Sequence, residues 1–538
     1  MGESRKFVCV YLFGLLLAGL VYLALTPPFE GFDEYAHYSS IRQMATTNTL
    51  PLLGQSYLDR AVVDYEGPLS YDYLKPPFEN GVSYGQFFAD PDRIEHYKTT
   101  YRDAALSQPF MPSDQANWQA QHPPLYYLLM TPLARATAAF SLVTQLFVLR
   151  LASFLLALGG VAFGMCGVMY KQSAVRIHQI TLGFSLYPLL FPMFFQEFVR
   201  LGNDSLCLFL FGLIIYLLAL QKEKARPPTF LLLIGCVLGL GLLTKAFFLA
   251  ITGSLVGALL SAHGGLRSAQ CLGDRFKKIG TMLVPAVLLG GGWYFYKLIA
   301  FGELTASVDT ESLARHGGLL AGLSERFSCG AFIAAFLSIA MDDIWSATRS
   351  IMEMPLLPVL PLVVLVATLL AKYIQQMKRT SKTDFDMLLI WTFLFFAAGL
   401  AYHVFVTIAL DGVSLVPGWY LQILMPLIAP ALGVGYQSLA RDPYLKPFIV
   451  GGICYAGLFQ ITTLWAQLTL FTGCALKVAD NSYGFRTKML CLDQTPVLLG
   501  RLSIMGWPLT ALIGFLGALL CAFYLFWRLR YNGYVGQR

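Results

Sequence analysis

The stretch PPFEGFDEYAHYSS, residues 27–40, places two adjacent carboxylates, Asp33 and Glu34, and a histidine, His37, directly behind the apolar run VCVYLFGLLLAGLVYLAL. In a helix starting at the acidic pair, Asp33 and His37 lie one turn apart. A carboxylate held at a partly desolvated interface has a raised proton affinity and can act as a general base; two neighbouring acids split their affinities, leaving one charged and one the better base. The plainer alternative is the solvated end of a membrane helix. Asp33, Glu34 and His37 could also offer oxygen and nitrogen ligands to a divalent metal. The seven histidines are scattered, however, and no HExxH supports a metal site; the first loop has no DxD beyond DPD at 90–92, which reads as a turn. The sequence requires no cofactor, and no P-loop or dinucleotide fingerprint is present.

The elements that must position these groups follow from composition. The 538 residues are 56% hydrophobic and 13% charged, with a mean hydropathy of +0.60, values expected of a polytopic membrane protein. The formal charge of +7 invites a nucleic-acid reading, but 20 of the 38 Lys and Arg fall in short segments read as cytoplasmic, such as 171–179, 221–228, 263–278 and 372–382. The surplus is therefore topogenic, and no nucleic-acid partner is expected. The expected fold is an all-α polytopic membrane protein of about 12 helices. Its parts are a first transmembrane helix (1–26), a long external loop (27–145), core helices (146–298), a second external loop (299–354) and C-terminal helices (355–538) with an external loop at 470–503. The segment 122–140, interrupted by Pro132 and Arg135, reads as an amphipathic helix on the outer leaflet. Most of the ten cysteines lie in apolar runs; Cys474 and Cys491 share an external loop where a disulfide is permitted.

An acidic pair after helix 1, then HPPLYYLL (122–129), FVRLGNDSL (198–206), GLLTKAFFL (241–249) and PGWYLQILMPLIAP (417–430), in this order and on one inferred side, resembles the GT-C class of integral-membrane glycosyltransferases. The chain is similar to the protein O-mannosyltransferases, the lipid A aminoarabinose transferases and a related bacterial group. The resemblance implies transfer of a sugar from a polyprenyl-phosphate donor to a protein, lipid or glycan acceptor, with inversion and with the first-loop acid as base: Asp33, with Glu34 sharing or positioning. It places the site at a bacterial inner membrane, facing the periplasm. The leaving phosphate would need donors, for which Lys245, Arg200, Tyr126, Tyr127, His122, Tyr420 and His403 are candidates, with His37 and Asp204 nearby. Each has a structural alternative. Lys245 could snorkel, Arg200 could simply pair with Asp204, and the tyrosines could be interfacial anchors. Competing functions are a lipid-linked glycan flippase, an oligosaccharide ligase or polymerase using a polyprenyl-diphosphate donor, and a membrane scaffold.

Overall fold

The computed structural model describes residues 2–69, 81–106, 108–221, 229–261, 269–345, 356–379, 383–414, 416–474 and 491–535. Parts of all three loops read as external (70–80, 346–355 and 475–490) and of the basic segments (222–228, 262–268 and 380–382) lie outside the described residues. The protein is an all-α polytopic membrane protein. Among the described residues nine helices are long and apolar enough to cross a bilayer, or eleven if each of two bent pairs forms one span.

The count differs from the expected dozen for identifiable reasons. Among the described residues Thr229–Leu242 and Phe247–Ser261 cover 14 and 15 residues, and residues outside the described set adjoin them at 222–228 and 262–268. The two helices stop on either side of Thr244 and Lys245, whose buried polar groups interrupt the apolar run. Within the core helices, the apolar stretch after the basic segment 171–179 is carried by Ala174–Leu190 followed by Met193–Val199, bent by 80°. Pro192, which has no amide hydrogen to continue the ladder, sits at the break. Within the region read as the second external loop, Leu319–Arg326 and Cys329–Ile344 form another apolar pair, bent by 103°.

Small residues let the central helices approach closely, as helices in lipid require. Leu142–Met169 lies on Asp204–Gln221 at Gly160 and Gly212, where a Cβ on Gly212 would come within 2.0 Å of the Gly160 carbonyl oxygen. Ala174–Leu190 lies as tightly on Met425–Ala440, a Cβ on Gly183 falling 1.8 Å from the Ala429 carbonyl.

The first loop folds back onto this bundle. Its acidic helix, Glu34–Thr47, docks on the amphipathic helix Leu125–Ala136, which exposes Leu128 and Leu129 and buries Tyr126 and Tyr127. Asn117 pins the acidic helix by donating to the Ala36 carbonyl and to Ser40, both at 3.0 Å, and Arg42 pairs with buried Asp59. Two short ribbons, Tyr57–Asp59 with Pro112–Ala116 and Pro68–Leu69 with Val82–Ser83, brace the rest. Cys474 and Cys491 are joined by a disulfide. The chain beside it meets the first loop: a Cβ on Gly473 would lie 2.6 Å from the Tyr84 carbonyl, and Arg102 donates to the carbonyls of Ile504 and Gly506.

Candidate active site

Asp33 and Glu34 are adjacent, yet the backbone sends them to opposite environments. Asp33 stands at the N-cap of the acidic helix with φ 57°, in the left-handed region that aspartate is among the few non-glycine residues to visit. It makes no side-chain cap. Its carboxylate, half-buried, accepts instead from the Trp118 indole N–H at 3.0 Å and lines a cavity of about 1110 Å³. Glu34 is completely buried and turned into the bundle. It pairs with Arg150 in a two-pronged geometry, Nε to Oε1 at 2.7 Å with Nη2 on Oε2, and also accepts from the amides of Phe29 at 3.1 Å and Leu201 at 3.0 Å. Arg150 spends its remaining donors on the carbonyls of Thr26 and Pro27, at 2.6 and 2.7 Å. Glu34 is therefore a tie between loop and membrane core, with no lone pair aimed at the cavity.

His37 lies one turn beyond Asp33, as the spacing anticipates, and lines the same cavity. Its Nδ1 is 3.0 Å from the Tyr127 hydroxyl, which itself donates to the Gln119 carbonyl at 3.2 Å. Nδ1 is thus engaged by Tyr127, and Nε2 is the ring nitrogen left for other partners. Burial, with the Arg200 and Lys245 cations and His122 adding to it, holds His37 well below the usual histidine range. His122, stacked 6.5 Å from His37, is pushed down to about 3, chiefly by burial and then by the Lys245 ammonium. Both imidazoles are neutral near pH 7.

The same cavity carries cations. Arg200 donates Nε and Nη2 to Glu197 at 3.0 and 2.6 Å and Nη1 to the Phe32 carbonyl at 2.8 Å, while its Nη2 lies 3.4 Å from Asp204. Lys245 donates to both oxygens of Asp204, at 2.8 and 2.9 Å, and rests over the rings of Phe247 and Tyr420 at 4.4 and 4.6 Å. Asp204 sits in the first turn of its helix, where the macrodipole favours a negative charge. Two carboxylates thus neutralise two cations. Gly31 makes room for this network, since a Cβ there would fall 2.6 Å from Arg200 Cβ.

Of the residues singled out from sequence, Asp33, His37, His122, Arg200, Asp204, Lys245, His403 and Tyr420 share the one cavity. His403 stacks on Tyr420, with ring centroids 6.4 Å apart, and its Nε2 is 3.7 Å from Asp309. Tyr126 and Tyr127 are absent from the lining. The Tyr126 hydroxyl is 2.9 Å from Ser153 and accepts from the Gly202 amide at 3.1 Å, and Tyr127 is spent on His37 and Gln119, so both tyrosines support the wall from behind. Sequence reasoning passed over Trp118, Glu197, Arg150 and Lys297. Arg150 and Lys297 each stand within a long apolar helix, the same signal that drew notice to Lys245. Aromatic faces surround Asp33: Trp419 stacks on Phe32 at 4.4 Å, and Trp118 meets Tyr35 edge-on at 5.3 Å. Leu249 and Ala250 from one short helix, with Phe396, Leu400 and Val406 from Asp384–Asp411, make an apolar flank. Among the described residues no three His, Cys, Asp or Glu side chains gather to hold a metal ion.

Fold and site together define a polytopic helical membrane protein with a large cavity lined by a carboxylate, aromatic faces, cations and apolar side chains. No family model and no curated protein matches the chain. A solved structure, ArnT from Cupriavidus metallidurans in the apo state, is similar over 81% of this chain and 75% of its own, at 13% identity and a TM-score of 0.41.

Proposed function

We propose that this protein is a GT-C-type glycosyltransferase that moves a sugar from a polyprenyl-phosphate donor to an acceptor hydroxyl, with Asp33 as the general base. The observation that carries the reading is the disposition of Asp33. A helix-capping carboxylate gives up its cap, adopts a left-handed backbone and faces a large cavity, oriented by one neutral N–H instead of being neutralised by a cation. In the step it supports, the Asp33 carboxylate takes the acceptor's hydroxyl proton as the acceptor oxygen bonds to the anomeric carbon. The bond from that carbon to the phosphate oxygen breaks, and its electron pair leaves on the polyprenyl phosphate. Attack opposite the leaving group inverts the anomeric centre. The cations Arg200, Lys245 and Lys297 suit the departing phosphate, and the apolar flank suits an isoprenoid tail.

Two further observations support an outward, periplasmic orientation. A disulfide belongs to an oxidising compartment, and the chain beside Cys474 packs on the first loop that carries Asp33. The basic segments cluster in the loops read as lying on the other side. The test is transfer by the purified protein from polyprenyl-phosphate sugars, and in parallel from a polyprenyl-diphosphate oligosaccharide, to a panel of hydroxyl acceptors. Asp33→Asn should abolish transfer while preserving donor binding. Undiminished transfer by that variant would sink the assignment, and exclusive use of the diphosphate donor would replace the transferase reading with a ligase.

A further inference from the structure

Three cations line the cavity, and they are not equivalent. Arg200 and Lys245 are each matched by a carboxylate, Glu197 and Asp204. Lys297 is only 2% exposed, yet no carboxylate oxygen of the described residues lies within ion-pair distance of its ammonium. Its one hydrogen-bond acceptor is the Ala306 carbonyl, at 2.7 Å, and the rings of Trp293 and Phe301 lie 5.8 and 5.6 Å away. A primary ammonium carries three donors, so a single neutral acceptor leaves much of its hydrogen-bonding capacity unused, and its charge is offset only by the Glu311 carboxylate beyond ion-pair distance. A buried charge without a counter-ion in contact is costly, and in membrane proteins such residues mark ligand sites.

The carbonyl it holds belongs to a strap. Residues 302–307 leave the long helix Ala269–Phe301 at Gly302, whose φ of 77° is left-handed, and enter the short helix Val308–Arg315 at the N-cap Ser307. Leu304, Thr305, Ala306 and Ser307 form part of the cavity wall, and Gly302 through Thr305 are otherwise exposed. Beyond Ala306 the strap's attachments belong to the helix that follows: the Val308 amide donates to Gln121 at 3.2 Å, Asp309 faces His403, and Leu313 packs with Val406 and Ala409. The Lys297–Ala306 bond is thus the fastening of the segment itself.

We infer that Lys297 is an anion-exchangeable latch: a phosphate group entering the cavity draws the ammonium from the Ala306 carbonyl and thereby frees strap 302–307. The ammonium trades a neutral acceptor for a charge-assisted one and gains a counter-charge in contact. The inference rests on the reading of the cavity as a lipid-phosphate site, and it adds which cation meets the anion and what that contact moves.

The test uses the full-length protein in detergent with three probes: farnesyl phosphate, inorganic phosphate and farnesol. Binding is followed by calorimetry, and the strap by backbone amide hydrogen exchange. Farnesyl phosphate should bind and speed exchange over 303–307, whereas farnesol should do neither. Inorganic phosphate acting alone would identify a free-phosphate source, and its failure beside farnesyl phosphate a lipid headgroup. Lys297→Met should speed strap exchange without any ligand and weaken phosphate binding by about tenfold or more, the loss of one charge-assisted hydrogen bond. Lys297→Arg should retain most of the affinity. Phosphate binding within twofold of wild type in Lys297→Met, or binding by wild type with the strap's exchange unchanged, would overturn the latch. If strap release accompanies phosphate binding but wild type transfers sugar to no acceptor, the latch stands and the transferase reading falls.

Discussion

Position 33 is where a one-residue difference in backbone direction separates chemistry from architecture. Asp33→Asn removes the proposed proton acceptor and keeps the side chain's shape, so on that proposal transfer should fall by about 10²-fold or more with donor affinity nearly unchanged, measured by initial rates and binding on the same preparation. Glu34→Gln should act differently. It leaves the Arg150 guanidinium buried beside a neutral amide, which costs about 3–5 kcal/mol, read as a lower unfolding midpoint in detergent. Arg150→Gln should cost about as much, and the double variant less than the sum. The two histidines make the fold acid-sensitive. Histidines of an unfolded chain take up protons near pH 6.5, whereas His37 and His122 resist protonation in the folded cavity. Their contribution to stability is therefore full above about pH 6.5 and is lost as the pH falls from there towards 3, with His37 lost at up to about 1.4 kcal/mol per pH unit. The midpoint should drop between pH 7 and pH 4.5, and His37→Asn should flatten that drop. The residue types were legible in sequence: a charge in an apolar chain is conspicuous, which is how Asp33, Arg200 and Lys245 came forward. Their partners were less so. Trp118 reaches Asp33 across 85 residues of loop, and nothing in its local sequence says where its N–H points.

Helices in this bundle are positioned by contacts that tolerate no added atoms. Gly183→Leu should separate Ala174–Leu190 from Met425–Ala440, because even a Cβ at 183 would overlap the Ala429 carbonyl. The expected result is loss of folded monomer on size exclusion, against normal behaviour for Gly280→Leu, whose Cβ would meet no neighbour within 4 Å. Helix existence was readable from apolar runs. The breaks were not readable. That Thr229–Leu242 and Phe247–Ser261 stop on either side of Lys245 depends on Asp204, 41 residues upstream, which gives the lysine a reason to be buried. The 80° bend at Pro192 likewise needed the neighbouring helices to decide between a kink and a turn.

At the scale of the whole molecule, the Cys474–Cys491 bridge closes one loop on itself, and the seat of Gly473 on Tyr84 ties that loop to the first one. The bridge joins residues 17 apart, for which chain-entropy arguments give about 3 kcal/mol. A reductant, or Cys474→Ser with Cys491→Ser, should lower the unfolding midpoint accordingly. Sidedness is checked by labelling. In intact cells an impermeant maleimide should reach a cysteine placed at exposed Glu303 and should reach one at exposed Ser173 only after permeabilisation. The reverse pattern would turn the cavity to the cytoplasm. The Glu34–Arg150 tie also fixes a depth. Arg150 lies eight residues beyond Leu142, the first residue of its helix, so the acid pair sits about 12 Å past that helix's end. On the proposed function, an anchor set back from the helix end favours acceptors that can extend a sugar, a lipid headgroup or a flexible chain end inward, so a short glycan should outperform the same sugar fixed close to a globular surface.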